Sequence, residues 1–206
     1  MILRVENLRV QKLEERPGVN RPYAIDAVSF VVQTGELVLT VGGPGAGKTA
    51  LKSALLSNDR ILAGRVEYAP GVCPRDTEDS SKLPVDVSDR HLIIKDGFQT
   101  RVGHRSDDHA DDHWKLFDRV RASGASLMAF AEIERLTGWR EGAFTRVIVL
   151  RDGSVFLDGT VNEVRTRLSE RLESEGHLFR PEDRSVLARW TTATTREDAR
   201  NTFPAE

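Results

Sequence analysis

At 206 residues, with 39% hydrophobic and 30% charged side chains, the chain is long enough for one sizeable core and a small appended unit. A formal net charge of −2 gives no general drive toward nucleic acid or an anionic membrane, so no nucleic acid is indicated as a partner, and a single cysteine, Cys73, excludes an internal disulfide framework. Charges interrupt the start, Met1 to Glu6, where a leader would need an apolar run, and no stretch is apolar for long enough to cross a bilayer; the expectation is a cytoplasmic protein without direct membrane insertion, peripheral at the inner face only through a partner.

Taken in chain order, Leu3 to Val10 alternates apolar and charged residues, the pattern of a half-buried antiparallel strand. A loop from Glu14 to Arg21 leads to a second strand region, Tyr23 to Val32, and Thr34-Gly35 turns it into Glu36 to Val41, an apolar, β-branched run that reads as a buried parallel strand. Gly42 to Thr49 then spells G-G-P-G-A-G-K-T and matches G-x-x-x-x-G-K-[ST], with helical spacing of apolar residues from Thr49 to Leu56. Strand, glycine loop and helix stand in the order that phosphate binding requires. Gly42, Gly45 and Gly47 let the backbone curl so that its N–H groups and the positive helix end face phosphate oxygens. The expected nucleotide-binding set is Gly42, Gly43, Pro44, Gly45, Ala46, Gly47, Lys48, Thr49 and Ala50, with Lys48 on the β- and γ-phosphates and the Thr49 hydroxyl on Mg²⁺.

Gly64 to Tyr68 is a short alternating strand that ends at Pro70-Gly71, and the polar, turn-rich segment from Cys73 to Arg90 reads as a connecting loop. His91 to Phe98 is an apolar run closed by Asp96, which could bind Mg²⁺ through water. Asp111 and Asp112 suit a helix N-terminus, with Trp114, Phe117 and Val120 following at helical spacing, and Ser126 to Phe130 is a further strand. Gly153 and Gly159 bracket a hairpin; Val164, Leu168 and Leu172 mark an amphipathic helix, and Pro181 opens a second one with Val186, Leu187 and Trp190 on its apolar side.

These pieces resemble the nucleotide-binding domain of the ATP-binding cassette (ABC) family. The front end, from Glu6-Asn7-Leu8-Arg9-Val10 through the glycine loop to Ala69-Pro70-Gly71, is similar to that family's antiparallel β-subdomain, Walker A loop and small hairpin; the back end, Arg146 to Val164, resembles the strands and helix start that close its core. The resemblance implies an α/β fold, a P-loop NTPase core with a mainly parallel sheet flanked by helices, plus an N-terminal antiparallel β-subdomain. It places Tyr23 where the family stacks an aromatic on adenine, although strands are rich in aromatics in any case, and Asp96 at the Walker B metal position. Residues 1–164 would form the nucleotide-binding domain, 165–190 a helical extension and 191–206 a disordered tail.

Three departures stand against that pattern. Gly97 occupies the position of the glutamate that polarises the attacking water, and no glutamine loop, helical subdomain or L-S-G-G-Q signature lies between Lys48 and Asp96, 48 positions apart. Glu132 is the nearest polar residue to the expected switch histidine, and a carboxylate there would repel a γ-phosphate unless protonated or bridged by a cation. The expectation is therefore a reduced subunit that binds ATP and Mg²⁺, hydrolyses poorly alone and works with a full-length ABC subunit or a membrane permease. The alternatives are a structural subunit with a vestigial loop and an independent small P-loop enzyme. A GTPase is disfavoured by the missing N-K-x-D. His104, His109 and His113 among aspartates suit a transition metal in type but read better as a solvated loop entering a helix, and no hydrolase nucleophile motif is present.

Overall fold

The computed structural model describes residues 1–12, 22–58, 60–77, 87–97, 108–133, 142–176 and 181–192, with the backbone alone at 108–112 and 182–183. Among these, strands β1 (Leu3–Gln11), β2 (Tyr23–Val32) and β4 (Ile61–Tyr68) form an antiparallel sheet in the order β2-β1-β4. A six-stranded sheet holds β5 (Cys73–Asp76), β6 (His91–Lys95), β7 (Ser126–Glu132), β3 (Leu37–Gly42), β8 (Arg146–Arg151) and β9 (Ser154–Gly159), in that order. All its neighbours are parallel except β8 and β9, which are antiparallel. The helices are α1 (Lys48–Ser57), α2 (Asp108–Ser123), α3 (Val161–Glu175) and α4 (Pro181–Thr192).

The inner strands of the larger sheet, β6, β7, β3 and β8, are covered on both faces, which explains why they read as apolar runs. Successive side chains of a strand point to opposite faces. On one face Leu37, Leu39 and Val41 of β3, Leu127, Ala129 and Ala131 of β7 and Val147 and Val149 of β8 pack with Trp114, Phe117 and Val120 of α2. On the other, Val38, Met128, Phe130, Ile148 and Leu150 pack with Leu51, Ala54 and Leu55 of α1 and with the inner face of the three-stranded sheet. The phosphate-loop helix is thus sandwiched between the two sheets, which fixes its direction.

The smaller sheet carries the alternation seen in the sequence, with one interruption. Leu3, Val5, Leu8 and Val10 are all buried, a spacing that slips by one residue between Val5 and Leu8. The slip is a bulge: the register with β2 shifts there and Asn7 takes a positive φ of 46°. The β8–β9 hairpin turns at Asp152-Gly153, both with positive φ as a tight two-residue hairpin turn requires. Arg146 at the base of that hairpin reaches Asp158 of β9, Glu36 before β3 and the Val31 carbonyl of β2, joining the two sheets. Its hydrogen bonds to the Asp158 carboxylate raise the guanidinium pKa further above its ordinary value.

Several expectations need correction. The segment from Cys73 to Arg90 is not wholly a connecting loop, because Cys73–Asp76 adds a parallel strand beside β6, at the edge of the described sheet. Among the described residues the strands after α1 do not pair as a hairpin: β4 joins β1, while β5 joins the other sheet. A short polar strand at a sheet edge has no hydrophobic alternation to announce it. Thr191 and Thr192 belong to α4 rather than to the tail, while the apolar side of that helix packs on the main body, where Leu187 and Trp190 share the core with Val164 and Leu168 of α3. His113 is buried in α2, while His104, the side chain of His109, the loop 14–21 and residues 193–206 lie outside the described residues.

Candidate phosphate-binding site

Strand β3 ends at Gly42, and Gly43 to Gly47 curl back over its end before α1 begins. The Ala46 amide donates to the Gly43 carbonyl at 3.1 Å, and Leu51 N–H closes the first helical turn on the Gly47 carbonyl at 2.9 Å. Gly47 has φ 105°, a value closed to other residues without strain, and a Cβ there would lie 2.7 Å from the Ala24 carbonyl oxygen of β2. The loop is braced from outside: Gly153 N–H donates to the Ala46 carbonyl at 3.1 Å, and the Gly153 carbonyl accepts from Asp26 of β2 at 2.8 Å. The hairpin turn therefore fixes the loop to the smaller sheet.

Helix α1 opens without a side-chain cap and without an acidic residue in its first turn, so its N–H groups and dipole are left for an anion. Pro44, Gly45 and Thr49 are exposed, and Ala50 is half-buried on the helix. Lys48 is 8% exposed and folds back onto the loop. Its Nζ donates to the Gly42 carbonyl at 2.6 Å, to the Gly43 carbonyl at 3.0 Å and to Glu132 Oε2 at 2.9 Å. Glu132 is brought there by topology: β7, not β6, is the neighbour of β3, and Gly42 stands level with Glu132 in the parallel register.

Asp96 stands just beyond β6, one strand further out. One carboxylate oxygen accepts the Gly97 N–H at 2.7 Å, and the other is 3.8 Å from Nζ of Lys52. Lys52, one turn after Lys48 on α1, pairs more closely with Asp76 at the end of β5, at 3.0 Å. Neither Lys52 nor Asp76 is part of the glycine-loop motif. The spacing of four from Lys48 was the available signal for Lys52; nothing local marked Asp76, because its strand is recognised only by its partner. Gly97, at φ 61°, is exposed and brings no carboxylate. Tyr23, half-buried at the start of β2, has the Arg9 guanidinium 5.5 Å from its ring centroid, and Arg9 in turn is bonded to Asp26 at 2.8 Å. Among the described residues no cluster of three or more His, Cys, Asp or Glu is arranged to hold a metal ion.

A backbone cradle after a buried parallel strand, an uncapped helix start and a lysine folded into the cradle have the form of a phosphate-binding loop. The fold is more particular than that: it is the fold of the ATP-binding cassettes. The chain aligns with a nucleotide-free ATP-binding cassette from an ABC transporter at a TM-score of 0.59 and 15% identity, over 87% of this chain and 99% of that one. An ABC transporter cassette in its ADP conformation aligns with the same TM-score at 14% identity, again over 87% and 99%. In sequence, the chain is 26% identical over 196 residues to the sulfate/thiosulfate import ATP-binding protein CysA of Bordetella bronchiseptica, covering 84% of this chain and 53% of that protein. It is 34% identical over 84 residues to the zinc import ATP-binding protein ZnuC of Jannaschia sp., covering 39% and 34%. The chain thus spans about half the length of the CysA relative, and no protein-family model matches it. It resembles the ABC nucleotide-binding domain in a reduced form. No helix among the described residues is long and apolar enough to cross a membrane.

Proposed function

We propose that this chain is an ATP- and Mg²⁺-binding subunit of ABC type, poor at hydrolysis alone and completed in a heteromeric complex. The observation that carries the reading is the loop from Gly42 to Thr49, with Lys48 folded into it and the helix behind it uncapped. Gly42, Gly43, Pro44, Gly45, Ala46, Gly47 and Ala50 supply the cradle, Lys48 the phosphate-directed charge, and Thr49 and Asp96 the oxygen ligands for magnesium; Tyr23 flanks the adenine. The donor chemistry suits both groups: amides and an ammonium for phosphate, a hydroxyl and a carboxylate for a hard cation. Impaired hydrolysis follows from Gly97, which offers no base to the attacking water.

A heteromeric assembly is supported by the missing signature motif, since a homodimer of this chain would lack it on both sides. The partner is then a full-length ABC subunit, with a membrane permease holding the complex at the cytoplasmic face. Residues 1–164 form the nucleotide-binding unit and 165–190 an extension packed against it. Calorimetric titration with ATP–Mg²⁺, with phosphate release measured on the same sample and Lys48→Ala as the control, tests the reading. Binding without turnover is expected, lost in Lys48→Ala. Rapid turnover by the isolated chain would overturn it in favour of an independent enzyme, and absence of binding would leave the loop a structural element.

A further inference from the structure

An ammonium group has three protons, and those of Lys48 meet three acceptors of its own chain: the carbonyls of Gly42 and Gly43 and the Glu132 carboxylate. The first two bonds hold the lysine in the loop. The third is different in kind, because its acceptor is an anion delivered from the end of a neighbouring strand, and the pair is held at 2.9 Å with the lysine almost fully buried. A phosphate oxygen can gain the charge of Lys48 only by displacing that carboxylate or by lying against it.

The cost falls unequally along a polyphosphate. The β-phosphate of a nucleotide has the backbone N–H cradle as well as Lys48, whereas the γ-phosphate, outside the cradle, depends on Lys48 and the metal alone. Glu132 therefore competes most directly with the γ-phosphate, and its charge repels that group at close range in a partly desolvated site. We propose that Glu132 sets the length of phosphate chain that the loop accepts, so that in this conformation the site takes a nucleoside diphosphate more readily than a triphosphate. This rests on the reading that the loop binds a nucleotide, and it adds a condition: a triphosphate enters fully only when the Glu132 carboxylate leaves Lys48.

The test is titration of the full chain with ADP–Mg²⁺ and with a non-hydrolysable ATP analogue and Mg²⁺, for the wild type, Glu132→Gln, Glu132→Ala and Lys48→Ala, with urea unfolding to establish that each variant is folded. The wild type is expected to bind the diphosphate about tenfold or more tightly than the triphosphate, the scale of one charge-assisted hydrogen bond. Both Glu132 variants should gain about tenfold for the triphosphate while diphosphate affinity stays within about twofold. Equal affinities in the wild type, an unchanged ratio in the variants, or loss of both nucleotides in them would overturn the proposal while leaving nucleotide binding intact as a property of the wild-type loop. Failure of the wild type to bind either nucleotide would instead overturn the underlying reading, and this proposal with it.

Discussion

Three glycines of one loop are held glycine for separable reasons, and alanine at each should cost a different amount of stability. At Gly45 the backbone has φ 80° but an added Cβ meets nothing within 4 Å, so alanine brings left-handed strain alone. At Gly42 no positive φ is involved, yet a Cβ would lie 2.7 Å from both the Ala46 Cβ and the Leu150 carbonyl oxygen, so alanine brings crowding alone. Gly47 carries both, with φ 105° and contacts at 2.7 Å to the Ala24 oxygen and to Ile25 Cδ1. Left-handed strain costs about 1–2 kcal/mol for a residue with a Cβ, and forced crowding in a packed site about 1–3 kcal/mol. The unfolded chain returns about 0.4–1 kcal/mol in each case through its lower entropy. The expected net losses are therefore about 1 kcal/mol or less for Gly45→Ala, about 1–2 for Gly42→Ala and about 2–4 for Gly47→Ala. Urea unfolding followed by circular dichroism, analysed with a common slope, measures all three. A Gly45→Ala loss equal to that of Gly47→Ala, or a neutral Gly42→Ala, would refute the assignment of strain and crowding.

Three further outcomes are expected. Arg146→Ala should cost about 2 kcal/mol, less than for a fully buried pair because its partners are partly exposed, and Arg146→Lys should recover only part of this since an ammonium cannot make the two-pronged contact to Asp158; denaturant midpoints decide. Thr160 caps α3 in a capping box with Glu163, and Thr160→Ala should cost about 1 kcal/mol. The Thr160 backbone N–H, and then its side chain, hold the Glu163 carboxyl below its ordinary value of 4.5; that stabilisation is present above 4.5 and lost as pH falls through the lower folded value, so acid unfolding of Thr160→Ala should show a shallower pH dependence there. Burial raises the pKa of Tyr68, whose hydroxyl donates to the Leu55 carbonyl at the end of α1. The folded state keeps that proton while the unfolded chain releases it above the ordinary value of 10.0, so stability should fall above that pH by up to about 1.4 kcal/mol per pH unit from this group, relative to Tyr68→Phe in the same buffers.

Much of the molecule was legible before any contact was seen. The glycine loop, the buried strand before it and the amphipathic helix after it are local patterns whose chemistry does not depend on distant residues, and they led to the candidate site. The apolar run from Glu36 to Val41 announced a buried parallel strand, Ser126 to Phe130 a further strand, and Gly153 and Gly159 the limits of a hairpin. Tertiary structure alone decided the order of those strands. Because β7 lies between β3 and β6, Glu132 rather than Asp96 meets Lys48, and Asp96 is left beside Lys52 and Asp76. No periodicity in the sequence could report which strand neighbours which, since β3, β6, β7 and β8 all carry the same apolar signal and pairing is settled by the packing of the whole. The edge strand Cys73–Asp76 escaped notice for a different reason: four residues with little buried surface become a strand only through the hydrogen bonds offered by β6.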